Sequence, residues 1–291
     1  MSAKPPHDWE VRIGQRRVLG RGLERRFLGD LFHHCMSISW PRLFAGFIFF
    51  ALVINVFFSL AFYAVEGSVT GARAPGYWEI FFFTWQLLGT VSFGGFMPGN
   101  LYGQALATVE IMVGVGSAAV MTGLIFARFT RPQAHIVFAQ NPVVGRHRGK
   151  PALTVRIANN RHNFLSDANA KLWLALDDEQ REARRFHPLA LEREGSPLFA
   201  LSWSLFHFID EHSPLMGLDA AQMERRRGLL VAIVSGHDEN YGQEVRARHQ
   251  WEPETLHWNH RYVDIITHPE PGIEYVDFQK FHETVPLDPE T

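Results

Sequence analysis

Charge is distributed along this chain in blocks. Residues 43–65 carry no charged side chain, and only Asn55 and Ser59 interrupt a run of Leu, Phe, Ala, Val and Ile. About 20 apolar residues cross a ~30 Å hydrocarbon layer as a helix, and soluble helices seldom stay apolar on every face for that length. The pattern predicts a first span over about 41–65. Residues 101–127 form a second run, broken by Gln104 and Glu110, with small residues at Gly114, Gly116, Ser117, Ala118, Ala119 and Gly123. Small side chains let helices approach closely in a membrane, and a second span is expected over about 103–128. Between them, residues 77–88 are aromatic and apolar but too short to cross. They suit a helix of about 77–89 that enters the membrane and stops.

Beyond Pro132 the period changes from helical to 2. Leu153, Val155 and Ile157 alternate with Thr154, Arg156 and Ala158, residues 171–177 alternate in the same way, and Leu191 stands against Glu192 and Glu194. Residues 229–234 are a continuous apolar run of the kind a fully buried strand shows, while 218–227 read as helix. Many short strands punctuated by Gly, Asn and Asp predict a β-sandwich. The expected organisation is an N-terminal segment 1–39, a membrane domain 40–130 and an all-β domain 131–291, with a loose tail rich in Pro, Asp and Glu. Within the first segment, residues 30–40 predict an interfacial amphipathic helix with Leu31, His34, Cys35 and Ile38 on one face and Trp40 at the headgroup level.

Composition narrows the picture further. Lys and Arg total 28 and Asp and Glu 30 in 291 residues, so no basic excess suggests a nucleic-acid partner. The single cysteine, Cys35, forms no disulfide within a chain. The first apolar run begins too far along for a cleavable signal peptide. Basic residues cluster before the first span (Lys4, Arg12, Arg16, Arg17, Arg21, Arg25, Arg26, Arg42) and after the second (Arg128, Arg131, Arg146, Arg148, Lys150). Arg73 alone lies between. The positive-inside bias therefore predicts both termini in the cytoplasm. Arg42, Arg128 and Arg131, with Trp40, are candidate contacts for anionic lipid headgroups, each basic residue worth about 1 kcal/mol near the surface; setting topology is the plainer reading.

The chemistry lies in Thr90-Val91-Ser92-Phe93-Gly94-Gly95, after the short helix and before the second span. Irregular backbone at membrane depth is tolerated where it lines an aqueous path, and four copies of such a strand around an axis replace the water shell of a cation with carbonyls. No fixed positive charge sits there to favour anions. This order of span, short helix, Thr-Val-x-Phe-Gly and span resembles a potassium channel pore. Several stretches narrow the likeness to prokaryotic members of the inward-rectifier potassium channel family. They are Phe126-Ala127-Arg128-Phe129-Thr130-Arg131-Pro132, Leu153-Thr154-Val155-Arg156-Ile157-Ala158-Asn159-Asn160, His207-Phe208-Ile209-Asp210-Glu211-His212-Ser213-Pro214-Leu215, Ala247-Arg248-His249-Gln250-Trp251 and Trp258-Asn259-His260-Arg261-Tyr262-Val263-Asp264. The resemblance spans roughly residues 20–285. It implies a homotetramer with immunoglobulin-like cytoplasmic sandwiches, passive K⁺ conduction, gating by lipid and by the cytoplasmic domain, and no cofactor beyond the permeating ion.

The sequence departs from that family at the filter. Ser92 replaces the first glycine, whose backbone conformation a residue with a Cβ reaches at a cost of ~1–2 kcal/mol. Two outcomes stand open. The serine hydroxyl holds the conformation and K⁺ preference survives, or one ring of carbonyls rearranges and Na⁺ passes as well. Gln86 stands in place of a pore-helix glutamate, and Gly95 where an Asp often follows. Glu110 either supports the filter from behind or faces the conduction path. Ala118 occupies the place of the acid that holds polyamines in strongly rectifying members, so weak rectification is expected. Met121 and Leu124, near Ile125 and Phe126, are the candidate gate, closing by dewetting. His33, His34, His257 and His260 read as surface or packing residues, with no metal site. Asp210 and Glu211 read as hydrogen-bonding or vestibule-lining carboxylates. An anchored β-domain needs no filter-like stretch, and no Gly-x-Ser-x-Gly, phosphate loop or His-Glu-x-x-His motif supports an enzyme.

Overall fold

A computed structural model describes residues 9–14, 16–20, 27–91, 94–131, 134–161, 163–178, 184–270 and 273–287. Ser92 and Phe93 lie outside these residues, as do Lys4, Arg21, Arg25, Arg26, Pro132 and the end of the tail, 288–291. The chain divides into two units. Glu24–Arg131 form one, and Met1–Leu23 with Pro132–Thr291 form the other.

The elements run in chain order from a hairpin of β1 (Trp9–Ile13) and β2 (Arg16–Gly20) to α1 (Phe27–Ser37) and α2 (Trp40–Tyr63). Then come β3 (Val69–Gly71), α3 (Tyr77–Leu88), β4 (Phe96–Pro98) and α4 (Leu101–Phe129). Pro41 occupies the first turn of α2, where its missing N–H costs nothing. Asn100 caps α4, its Oδ1 accepting from the Gly103 N–H at 2.8 Å. Glu79 sits in the first turn of α3, held 2.8 Å from Arg73. α2 and α4 are the two helices long and apolar enough to cross a membrane among the described residues.

Their inward stripes explain how the helices pack. On α2, Asn55, Phe58, Ser59 and Phe62 are buried; Asn55 donates to the Phe81 carbonyl at 3.2 Å, and Phe62 meets Phe83 edge-on at 5.7 Å. On α4 the buried stripe is Gly103, Ala107, Glu110, Gly114 and Met121. A Cβ at Gly103 would stand 2.1 Å from the Ser68 carbonyl oxygen, and one at Gly114 2.2 Å from that of Leu88. The close approach of α4 to α3 at Leu88 and to the α2–β3 connection at Ser68 therefore requires hydrogen at both positions. The amphipathic α1 differs from expectation. Met36 is its buried residue and Cys35 is half-buried, while Leu31 and His34 are exposed and Ile38 lies beyond the helix end.

The second unit is a two-sheet sandwich. Its strands are β5 (Ile136–Phe138), β6 (Val143–His147), β7 (Lys150–Asn159), β8 (Leu165–Asp177), β9 (Arg184–Leu189), β10 (Gly195–Phe199) and β11 (Ser202–Phe208). After α5 (Ala220–Arg225) follow β12 (Leu229–Asp238), β13 (Gln243–Trp251), β14 (His257–Trp258), β15 (His260–Tyr262), β16 (Ile266–Glu270), β17 (Ile273–Val276) and β18 (Thr284–Pro286). One sheet has the order β10-β8-β12-β13 with β9 beside β8; the other has β11-β7-β6-β14 with β5 beside β7. Leu153, Val155, Ile157 and Leu205 from one sheet bury with Leu172, Leu174, Leu230 and Val234 from the other. This face-to-face packing makes the alternation visible in sequence.

Four expectations are corrected here. β7 is buried on both faces, Arg156 and Ala158 included, because a second cluster of Ala139, Val143, Tyr262, Ile265 and Phe281 covers its outer side. Residues 190–194 are a connection between β9 and β10, so the Leu191–Glu194 alternation is not a strand. In β12, Val231 and Ile233 are only half-buried, leaving an alternating strand where a continuous apolar run suggested full burial. The helix expected over 218–227 shortens to α5, fixed by the Asp219–Gln222 capping box.

The His207–Leu215 run owes its form to one buried histidine. His207 bonds through Nδ1 to the Ala190 carbonyl and through Nε2 to Ser213 Oγ, both at 2.7 Å, and Ser213 Oγ accepts from the Leu215 N–H. Burial lowers the His207 pKa; the Ala190 carbonyl and Asp210 oppose the shift more weakly. The unfolded chain therefore takes up the proton first as the pH falls through the ordinary histidine range. Stability is complete above that range and declines below it, by up to about 1.4 kcal/mol per pH unit for one proton. Thermal unfolding of the full chain in detergent between about pH 8 and pH 5 is expected to show this loss, and His207→Asn to flatten the acid-side slope. An unchanged slope would assign the effect elsewhere.

Candidate ion pathway

The filter segment begins where α3 is capped. Gly89 ends the helix, the Thr90 N–H bonds to the Leu87 carbonyl at 2.9 Å, and the Val91 N–H reaches back to the Gln86 carbonyl at 2.8 Å. This pairing is the Schellman arrangement, which places its C′ residue in the left-handed region. Thr90 occupies that position with φ 57°, where glycine is the usual occupant. The expected extended conformation is thus absent at Thr90. Completing the helix cap satisfies two carbonyls that would otherwise be unpaired, at the cost of strain in a β-branched residue. Gly94 also has positive φ, 75°. Thr90, Val91, Gly94 and Gly95 are all exposed on the single chain. Gln86 is half-buried on α3, one turn before the cap.

Glu110 is fully buried on the α4 stripe between Ala107 and Gly114, and neither carboxylate oxygen has a hydrogen-bond partner. The hydrogen bond expected of a carboxyl supporting the filter from behind is not made. Ala118 lines a small apolar recess with Leu88 and Gly89.

At the far end of α4 the gate candidates separate. Met121 is only 8% exposed, enclosed by its own chain, and Leu124 is half-buried beside it in an apolar recess shared with Leu43 and Phe47. Of the two gate candidates, Met121 is thus covered by its own chain and Leu124 only partly so. Phe126, five residues on and about 140° round the helix, is 68% exposed.

The lipid candidates divide in the same way. Arg42 and Arg131 are exposed. Arg128 is occupied within the chain: its guanidinium donates to the Ile38 carbonyl and lies 4.6 Å over the Trp40 ring, which in turn meets Phe129 at 5.2 Å. It ties the end of α4 to the α1–α2 junction, a role no local pattern announces. Arg148 pairs with Glu192 at 2.8 Å and Lys150 lies over Phe208, both on the sandwich. His257 bonds Thr284, and His260 bonds the Trp258 carbonyl. The Asp210 carboxylate accepts from the His212 N–H, and Glu211 is exposed.

Two spans, a short helix between them and an exposed turn at its end form the architecture of an ion-channel subunit. Residues 136–290 match the inward rectifier potassium channel C-terminal domain family. The chain is 34% identical over 274 residues to the inward rectifier potassium channel Kirbac3.1 of Paramagnetospirillum magnetotacticum, covering 93% of each protein. It is 24% identical to the ATP-sensitive inward rectifier potassium channel 8 of Mus musculus, covering 89% of this chain and 69% of that one. The ATP-sensitive inward rectifier potassium channel 11 of Cavia porcellus is also 24% identical, with 89% and 73% covered. The chain belongs to the inward rectifier potassium channel family, whose members here are ion channels and not enzymes.

Close packing at Gly114 yields a direct test. Gly114→Ala is expected to destabilise the protein by about 1–3 kcal/mol through overpacking against Leu88. Gly116→Ala, with no atom within 4 Å of the added Cβ, is expected to be neutral or slightly stabilising. Unfolding midpoints in detergent compare the two; equal effects would refute the packing argument.

Proposed function

We propose that four copies of this chain assemble into an inward-rectifier-type potassium channel that conducts cations passively across a prokaryotic plasma membrane. The exposed turn at the end of α3 carries this reading, because one chain supplies one filter strand and leaves its outward face uncovered. Thr90, Val91, Ser92, Phe93 and Gly94 form the filter, backed by Gln86 and Glu110. Both termini lie in the cytoplasm, as the Lys and Arg bias requires. The all-β unit and anionic lipid control opening, with Trp40, Arg42 and Arg131 as lipid contacts. K⁺ is the permeating ion, and no cofactor takes part.

A second reading, a cation channel that distinguishes K⁺ poorly from Na⁺, rests on Ser92 and gains support from the left-handed Thr90 beside it. Flux of K⁺, Na⁺ and N-methylglucamine into liposomes containing the purified protein separates the two. Strong K⁺ preference in the native protein favours the first reading. Equal K⁺ and Na⁺ flux, with K⁺ preference gained in Ser92→Gly, favours the second. No flux from either form, across varied lipids, would defeat both.

For the gate, Phe126 replaces Met121 and stands with Leu124 at the narrow end. Phe126→Ala is expected to raise resting flux by about tenfold or more by wetting the constriction. Met121→Ala is expected instead to cost about 2–5 kcal/mol of stability, as a buried methionine does, with little direct effect on flux.

A further inference from the structure

The chain turns between β14 and β15 at Asn259, whose φ of 56° brings His257 and His260 together on either side of it. This turn is fixed from several directions. β14 pairs in parallel with β6, β15 pairs antiparallel with β18, and the Leu287 N–H donates to the Asn259 carbonyl at 2.8 Å. On the β6 side, Gly145 leaves room for the His260 carbonyl oxygen, which a Cβ there would meet at 2.3 Å. Both imidazoles are half-buried, and their ring centroids lie 5.1 Å apart with the planes at 52°. They are the one pair of histidine rings in contact among the described residues.

Each ring is held through the same nitrogen. His260 Nδ1 donates to the Trp258 carbonyl at 2.7 Å, which fixes the neutral tautomer and leaves the lone pair on Nε2. His257 Nδ1 lies 2.7 Å from Thr284 Oγ1, an oxygen able to accept in the same way. Metal-binding histidines share this arrangement: one nitrogen donates to a fixed acceptor, which orients the ring and makes the other nitrogen a better ligand. The separation agrees as well. Two imidazoles on one tetrahedral ion, with metal–nitrogen bonds of about 2.1 Å, have ring centres about 5.2 Å apart. Other buried or bonded histidines are not prepared in this way. His207 engages both nitrogens, and His282 Nδ1 accepts from the Gln140 N–H, which puts the proton of its neutral ring on Nε2.

We propose that His257 and His260 bind one transition-metal dication of the zinc class through their Nε2 atoms. Imidazole nitrogen suits zinc, copper and nickel, whereas magnesium and calcium take oxygen. No third His, Cys, Asp or Glu joins the pair among the described residues, so water completes the coordination and the ion exchanges with solvent. Arg146 and Arg261 line the recess that His260 also lines; both are exposed, and salt screens their repulsion of a cation. The bound ion links the β14–β15 turn to β18 through Thr284. These strands adjoin the cluster of Val143, Tyr262 and Phe281 that covers β7, so binding stabilises the outer layer of the sandwich. The site lies wholly in the all-β unit, and its occupancy does not depend on which ion the pore prefers.

Calorimetric titration of the full-length protein in phosphatidylcholine nanodiscs with zinc chloride, in a buffer that does not coordinate metal, tests the site. One saturable ion per chain is expected, with a rise in unfolding temperature that magnesium chloride does not give. His257→Gln and His260→Gln are each expected to weaken binding about tenfold or more, and Thr284→Val about tenfold by freeing the His257 ring. His260→Cys supplies a different zinc ligand at the same place and is expected to restore most of the affinity lost in His260→Gln, which a purely structural role of the ring would not allow. Replacing His33 and His34 of α1 together by Gln is expected to change this affinity less than about twofold. No saturable zinc binding, binding unaltered by His257→Gln, or equal weakening by the α1 double replacement would overturn the site.

Discussion

Backbone that leaves a helix at membrane depth must find polar partners, and the architecture around α3 follows from that demand. α3 is too short to span, so its C-terminal carbonyls and the turn beyond it would lie within the hydrocarbon. The Thr90 and Val91 amides cap the carbonyls of Leu87 and Gln86. Beyond the cap, Val91, Gly94 and Gly95 are exposed on the single chain.

That turn is positioned by what packs behind it. α4 carries hydrogen where it passes the carbonyls of Ser68 and Leu88, and a methyl group at either point would push the helices apart. Glu110 lies on the same stripe, enclosed and without a hydrogen-bond partner. A buried carboxyl in this state is costly, and it stands directly beside the element that sets the filter. At the other end of α4, Arg128 holds the Ile38 carbonyl and the Trp40 ring. The α1–α2 junction is thereby tied to the helix end where Phe126 is exposed.

The sandwich uses buried polar groups in a different way. Arg156 reaches across to the Val263 carbonyl, the Tyr262 hydroxyl donates to the Asn141 carbonyl, and the Trp251 indole N–H to that of Ala139. Each joins a β-strand to a segment far away in sequence, and the first two lie on the side of β7 away from the main core. His207 does the same for the loop that follows β11. The distinctive His207–Leu215 stretch is therefore held by structure, and its carboxylates need no part in conduction to account for its form.

Spans, short helix and strands were legible in the sequence because each depends on local periodicity and length. Residues 43–65 are apolar on every face, and Leu153, Val155 and Ile157 alternate. The candidate filter stretch was picked out by its residue order between two spans. Burial of Met121 and exposure of Phe126 were not, because both are apolar and only the helix's rotation against its neighbours tells them apart. Arg128 and Arg156 read as ordinary surface cations until residues about a hundred positions away supplied carbonyls and rings for them. Local periodicity determined which elements form. Which face of each element is covered, and which charge is engaged, depended on contacts between distant segments that only the tertiary structure brings together.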